Sequence, residues 1–352
     1  MIFGQRTIIL VAKDHLFISG SFTKRGGSNL KNYLHSFALV LMLGIGVFAQ
    51  TGWTVQPSNT TGDLVAVFFT SSDRGWIAGD DGFLSSTTDG GKSWVKYPLN
   101  TDESINEIYF RNDDNGYLVA GRKMFITKDA GKTWTETQIF RTGEFGAGRP
   151  EFLSIRFSDK KKGYLIGSVL RKSAGDEVVV DSLLMRTEDG GESWRRITVP
   201  TKTELFHLDF SGNSHGWIVG DGGVVLHTTD EGLTWVKQDA QTSLPLYHVD
   251  FRDDDEGYIV GKSGTILRTE NGGSTWQPVT TSFKDTFMRV DFADDKNGWV
   301  VGYGGNILRS DNKGKTWTRQ ESSTRSRLYG LYMDKKFGWA VGEKGLILRF
   351  KK

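Results

Sequence analysis

The stretch Gly257-Tyr-Ile-Val-Gly-Lys-Ser-Gly-Thr-Ile-Leu-Arg-Thr-Glu-Asn-Gly-Gly-Ser-Thr-Trp276 decides the fold. Tyr258-Ile259-Val260 lies between glycines, and Thr265-Ile266-Leu267-Arg268 is bounded by Ser-Gly and Asn-Gly-Gly. Trp276 opens a third apolar segment. Short β-branched and aromatic runs separated by Gly, Asn and Ser clusters predict three strands joined by tight turns. The same pattern recurs along most of the chain. A Gly-aromatic pair stands at Gly75-Trp76, Gly116-Tyr117, Gly163-Tyr164, Gly216-Trp217, Gly257-Tyr258, Gly298-Trp299 and Gly338-Trp339. A tryptophan after Ser or Thr stands at positions 94, 134, 194, 235, 276 and 317, and the last three steps are each 41 residues.

Between each tryptophan and the next Gly-aromatic pair lies a further apolar strand, such as Leu246–Phe251 or Phe287–Phe292. Four strands in about 40 residues make one blade of a β-propeller. The seventh unit runs out before its tryptophan strand, and Trp53-Thr-Val-Gln56 supplies a matching one at the other end. Donation of that strand to the last blade would close the ring and remove two open edges. The expected fold is therefore all-β, a single seven-bladed propeller over residues 51–352 with four antiparallel strands per blade. The third blade is longer than the rest, with insertions at 137–152 and 168–182. If strands run outward from the channel, both fall on the face that carries the links between blades, where repeat folds concentrate binding.

Composition agrees and removes several functions. The chain has 44 glycines, 11 tryptophans, 6 prolines and no cysteine, so disulfides, thiolate nucleophiles and cysteine metal ligands are excluded. A net charge of +2 gives no reason to expect nucleic acid. Lys24, Arg25 and Lys31 precede the apolar run Phe37–Ala49, and Val47-Phe48-Ala49 has the form of a cleavage site. Residues 1–49 are thus expected to be an export signal with an over-called start. The mature chain is expected outside the cytoplasm, periplasmic, lumenal or secreted, without an integral membrane segment.

The turn before each tryptophan carries the sharpest motif, an Asp box of the form Thr-x-Asp-x-Gly-x-Ser/Thr-Trp. Its acidic position is Asp89, Asp129, Asp189 and Asp230, and becomes Asn271 and Asn312 in the last two copies. The side-chain oxygen accepts N–H groups of its own turn and the glycine supplies a positive φ. Asparagine at two of six positions speaks for architecture over catalysis or metal binding. The acidic turns Asn112–Asn115, Asp253–Glu256 and Asp294–Asn297 lack a full calcium loop with its terminal glutamate, so no metal and no cofactor are expected.

Read together, Gly257–Trp276 and Gly298–Trp317 resemble the repeat of the photosystem II stability/assembly factor family of seven-bladed propellers. Gly338–Arg349 is similar to the way those chains end, and the resemblance covers nearly all of residues 53–350. It implies a non-enzymatic chaperone that binds a membrane-protein assembly intermediate through an arginine-rich surface. Asp-box propellers also include sialidases, whose Arg-Ile-Pro segment is missing here and is not replaced by Arg149-Pro150. They include xyloglucan hydrolases as well, built from two propellers. A carbohydrate-binding or glycoside-hydrolysing propeller is the alternative, and it would require a carboxylate pair in a pocket.

Partner-binding candidates come from one recurring position in the third strand: Arg186, Arg268, Arg309 and Arg349, with His227 in the same place. Two readings stand: a cationic arc open to an acidic partner, or pairing with Asp209, Asp250 and Asp291, which recur in the first strand. Arg141, Arg149, Arg171 and Lys172 on the insertions, and Arg325 and Arg327 on the last link, extend the list. His207, His248 and Arg289 share one first-strand position and are expected near the channel as isolated polar core residues.

Overall fold

A computed structural model describes residues 52–351; the expected export signal lies outside them. Seven four-stranded antiparallel sheets follow one another. Blade five shows the plan: Leu246–Phe251, Glu256–Gly261, Ile266–Glu270 and the short Gln277–Pro278. The first strands, Leu64–Phe69, Ile105–Phe110, Arg149–Phe157, Leu205–Ser211, Leu246–Phe251, Phe287–Phe292 and Leu328–Met333, neighbour one another in a closed circle. The seventh blade is completed by Gly52–Gln56, which pairs with Ile347–Lys351 from Gly52↔Lys351 to Gln56↔Ile347. The fold is the seven-bladed propeller that the repeats predict, and its ring is closed by the N-terminal strand.

Hydrophobic burial lies between blades rather than within one. Tyr164, Ile166 and Leu184 of blade three pack with Leu205, Leu208, Ile218 and Trp235 of blade four. Each Gly-aromatic ring crosses such an interface: Trp217 stacks on Phe251 of the next blade at 3.4 Å, and Trp339 closes the circle on Phe69 at 3.6 Å. Stacked rings of this size supply both apolar area and a fixed geometry. The glycine beside each ring is required sterically, since a Cβ on Gly257 would come within 2.4 Å of the Phe251 ring. A bulge after the first residue of six inner strands, as between Leu246 and His248, and between Phe152 and Ser154 in the extended third-blade strand, keeps residues such as Leu246 in the core with Val249 and Phe251. His248 and Asp250 are thereby turned toward the channel.

Candidate functional site: arginine shelf, insertion face and central channel

The Asp boxes are closed turns. In the first, Thr87 Oγ1 donates to Asp89 Oδ1 at 2.8 Å, and the Lys92 and Ser93 amides donate to the same oxygen at 3.0 and 2.9 Å. The Ser93 hydroxyl takes Oδ2 at 2.6 Å. These bonds hold the Asp89 carboxyl well below the usual carboxylate range, and the same pattern lowers Asp129 to about 2. Asp189 is likewise lowered to about 2 and Asp230 is lowered, the bonds outweighing the slight burial of each. In the two asparagine boxes the amide reverses one bond: Asn271 Nδ2 donates to Thr275 Oγ1 at 2.9 Å, and Asn312 Nδ2 to Thr316 Oγ1 at 2.8 Å. The side-chain oxygen of Asn271 still accepts the Thr275 amide at 2.9 Å. One turn geometry therefore accommodates either residue.

The recurring third-strand arginines form a shelf over the Gly-aromatic rings. Arg309 lies over Trp299 at 5.3 Å, Arg349 over Trp339 at 5.6 Å and Arg186 over Tyr164 at 5.9 Å. His227 stacks on Trp217 at 4.8 Å in the same place. Register explains this, because each arginine is directly opposite the aromatic on the neighbouring strand: Arg309↔Trp299, Arg349↔Trp339, Arg268↔Tyr258. Arg186 is 2% exposed, donates to the Glu231 carbonyl and pairs with Glu188. Arg268 pairs with Glu270 at 2.5 Å and approaches Glu256 at 3.8 Å, and Arg309 donates to Asn297 at 3.1 Å. The expected partners Asp209, Asp250 and Asp291 are elsewhere, in the channel wall. Arg268, Arg309 and Arg349 are half-buried.

The two insertions of blade three meet. Arg149, Pro150 and Glu151 pair with Leu170, Val169 and Ser168, so the first insertion extends the inner strand alongside the hairpin built by the second. That hairpin, Gly163–Ser173 with Asp176–Thr187, turns at Ala174 and Gly175. Phe140 and Phe145 pack edge to face at 5.3 Å, with Arg196 over Phe145 at 5.5 Å. Arg149 bridges to Glu177 at 2.9 Å. Arg141, Arg171 and Lys172 are exposed, as are Arg325 and Arg327 on the last link, where Arg327 lies over Tyr303 at 4.8 Å.

A cavity of about 220 Å³ occupies the channel. Two rings of first-strand side chains define its wall. Counted back from the closing Phe or Met of each first strand, the residue one place before is Phe68, Tyr109, Arg156, Asp209, Asp250, Asp291 and Tyr332 around the circle, all but Tyr109 lining the cavity, and the residue three places before includes Glu107, His207, His248 and Arg289. His207, His248 and Arg289 thus reach the channel, as a connected cluster rather than isolated core residues. Glu107 organises it: Arg156 Nη1 lies 2.9 Å away, the Ser154 hydroxyl and Ile155 amide donate at 2.6 and 2.9 Å, and Arg289 is at 3.9 Å. Burial alone would raise Glu107, but Arg156, His207 and Arg289 hold its carboxyl below the usual range. Burial, reinforced by Arg156, brings His207 down to about 3 and keeps it neutral. Burial pushes Asp209 up to about 6 and Asp291 up to about 7. Asp250, between them, is raised well above the usual carboxylate range by burial and by both neighbours. Neither Glu107 nor Arg156 stands out in the sequence; aligning the seven inner strands on the residues one and three places before their closing Phe or Met would have found the two rings.

The sequence pattern described as photosynthesis system II assembly factor YCF48 matches residues 46–142, 147–247, 234–327 and 286–351. The chain belongs to this family. A search of curated proteins gives no match. Among solved structures, "YCF48 bound to D1 peptide" is similar at a TM-score of 0.69 and 19% identity, covering 86% of this chain and 96% of that one. YCF48 from Cyanidioschyzon merolae gives 0.67 and 19%, over 85% and 98%. The GH74 enzyme of Niastella koreensis gives 0.63 and 16%, with 85% of this chain spanning 53% of that enzyme. At these identities the structural likenesses concern the fold.

Proposed function

We propose that this YCF48-family propeller is an exported, non-enzymatic scaffold that holds a membrane-protein assembly intermediate, of the photosystem II reaction-centre kind where the cell makes that complex. Family membership across residues 46–351 is the observation that carries the reading. A peptide-bound relative supports a protein partner. The insertion face supplies the surface: the two blade-three insertions and the last link carry exposed Arg141, Arg171, Lys172, Arg325 and Arg327. Such cations suit the carboxylates of an acidic peptide. The non-enzymatic part of the reading rests on family membership; in the channel Glu107 is committed to Arg156, while Asp209, Asp250 and Asp291 are the carboxylate grouping that a glycoside-hydrolysing alternative would need. The Arg268, Arg309 and Arg349 shelf contributes to partner binding through whatever guanidinium edge its aromatic rings leave open, and Arg186 and Arg149 stiffen their surroundings.

Crosslinking pull-downs from source membranes test the reading. An Arg141/Arg325/Arg327→Ala protein should lose the partner captured by wild type, and an Arg268/Arg309/Arg349→Ala protein should show a smaller loss. Equal capture by the first variant and wild type would remove the insertion face from the proposal.

A further inference from the structure

The channel's cations and carboxylates are unevenly matched. Arg156 and Arg289 both turn to Glu107, at 2.9 and 3.9 Å. Asp209, Asp250 and Asp291 are on three consecutive blades, and among the described residues none has a Lys or Arg nitrogen within ion-pair distance. Asp209 and Asp291 each use one oxygen to accept an amide of the next blade, from Phe251 at 2.8 Å and Met333 at 2.6 Å. Opposite the carboxylates the ring is aromatic: Phe68 packs 5.7 Å from Tyr332 and 6.0 Å from Tyr109. A second, independent feature faces the same cavity. His248 is 8% exposed, and its buried Nδ1 has no hydrogen-bond partner.

Three carboxylates beside aromatic faces match a cation that carries an apolar body. A compact ammonium presents three rotatable donors, whereas a guanidinium is a flat fork. Among the described residues no group of three or more His, Asp or Glu is arranged to hold a metal ion. We propose that the channel binds a primary alkylammonium group, its nitrogen among Asp209, Asp250 and Asp291 and its alkyl chain against Phe68 and Tyr332. His248, whose buried Nδ1 has no hydrogen-bond partner, lines the same cavity one layer further along the channel. The site is independent of the assembly-factor reading and uses none of the residues assigned to the insertion face.

Without a ligand, burial above all, with the neighbouring carboxylates, keeps protons on the three aspartates, Asp209 at about 6 and Asp291 at about 7. An arriving cation takes the place of those protons, so binding releases them and strengthens as pH rises. The other channel groups keep their charge across this range. Glu107 is held ionised, His207 and His248 are held neutral, Arg156 stays cationic, burial lowers Arg289 from its ordinary high value against the opposing pull of Glu107 and Asp291, and burial raises Tyr109 and Tyr332.

Titration calorimetry of the full chain with n-butylammonium chloride, in two buffers of different ionisation heat, tests the site, with n-butanol as the neutral control. Binding should release roughly one proton near neutral pH and tighten at least about tenfold between about pH 5 and pH 8. Asp250→Asn, which retains an acceptor oxygen, should weaken it at least about tenfold. Phe68→Leu gives the same reading if the first variant fails to fold. A short peptide with a free lysine side chain separates the two sources: comparable binding assigns the site to a partner's lysine, and binding of butylammonium alone assigns it to a free amine. Equal affinity for n-butanol, absence of proton release, or wild-type affinity in folded Asp250→Asn would each overturn the proposal.

Discussion

The same side chain does opposite work in two parts of this molecule. Asp89, Asp129, Asp189 and Asp230 lie at the outer turns and are held ionised by hydroxyl and amide donors from their own loops. Asp209, Asp250 and Asp291 lie in the channel wall, where burial and one another's charge push them toward protonation. The first set is solvated and over-supplied with donors; the second is desolvated and crowded. Sequence distance does not separate them, since Asp209 and Asp230 belong to one blade. The number of donors reaching each carboxyl and the amount of water around it make the difference.

Removing a carboxylate from each set should therefore have unlike consequences. Asp230→Ala deletes the acceptor of the Thr234 amide at 2.9 Å and of the Thr228 and Thr234 hydroxyls at 2.8 and 2.7 Å. The turn that seats Trp235 loses its lock, at an expected cost of about 2 kcal/mol in chemical unfolding. Asp250→Asn should do the reverse and stabilise the protein by about 1–2 kcal/mol near pH 8, because it removes a buried carboxyl that must either hold a proton above its ordinary range or carry a charge beside two others. The sign follows from proton uptake. Between the unfolded aspartate range and the raised folded values of about 6 and 7, the folded state binds more protons, so stability falls as pH rises through that window. Denaturation midpoints from about pH 4 to pH 8 check this, and the advantage of Asp250→Asn should vanish at the acid end. Variant and wild type falling in parallel would mean that the ring carries no such strain.

The outer architecture was legible in the chain, and the inner chemistry only in part. Gly-aromatic pairs, Asp boxes and the tryptophan period each repeat within a blade, so one sequence reports them seven or six times. The closing strand Gly52–Gln56 was readable because the seventh unit lacked its partner. The channel is different: its wall takes one or two residues from each of seven blades, and their company is decided by circular closure. His207, His248 and Arg289 could be placed near it, yet the tie to Glu107, about a hundred residues away or more, had no local signature. The arginines were recognised as a recurring position, but their rings were not, because the cross-strand register Arg309↔Trp299 appears only once the second hairpin turn is fixed.

That shelf offers an intermediate case between the two aspartate sets. Arg309 is half-buried, over Trp299 and hydrogen-bonded to Asn297. Arg309→Leu retains apolar contact with the ring while losing the cation–π contact and the hydrogen bond, for an expected cost of about 1 kcal/mol. Thermal unfolding of the variant measures it. A cost near zero would mean that the guanidinium faces water, and would return the shelf to the category of open binding surface.

The smallest effect is expected from Asp230→Asn, and it is the most discriminating about the boxes. Asn271 and Asn312 already occupy this position in blades five and six, where the oxygen accepts the turn amides and the amide group donates to the threonine hydroxyl. The substitution should therefore change stability near neutral pH by less than about 0.5 kcal/mol. Its signature is at low pH. The Asp230 carboxyl is held below its ordinary value, so its stabilisation is present above that value and lost as pH falls through the folded one. Asp230→Asn should flatten that acid limb slightly, whereas Asp250→Asn acts on the neutral side, so the two substitutions place the same atom change on opposite limbs of one pH–stability curve.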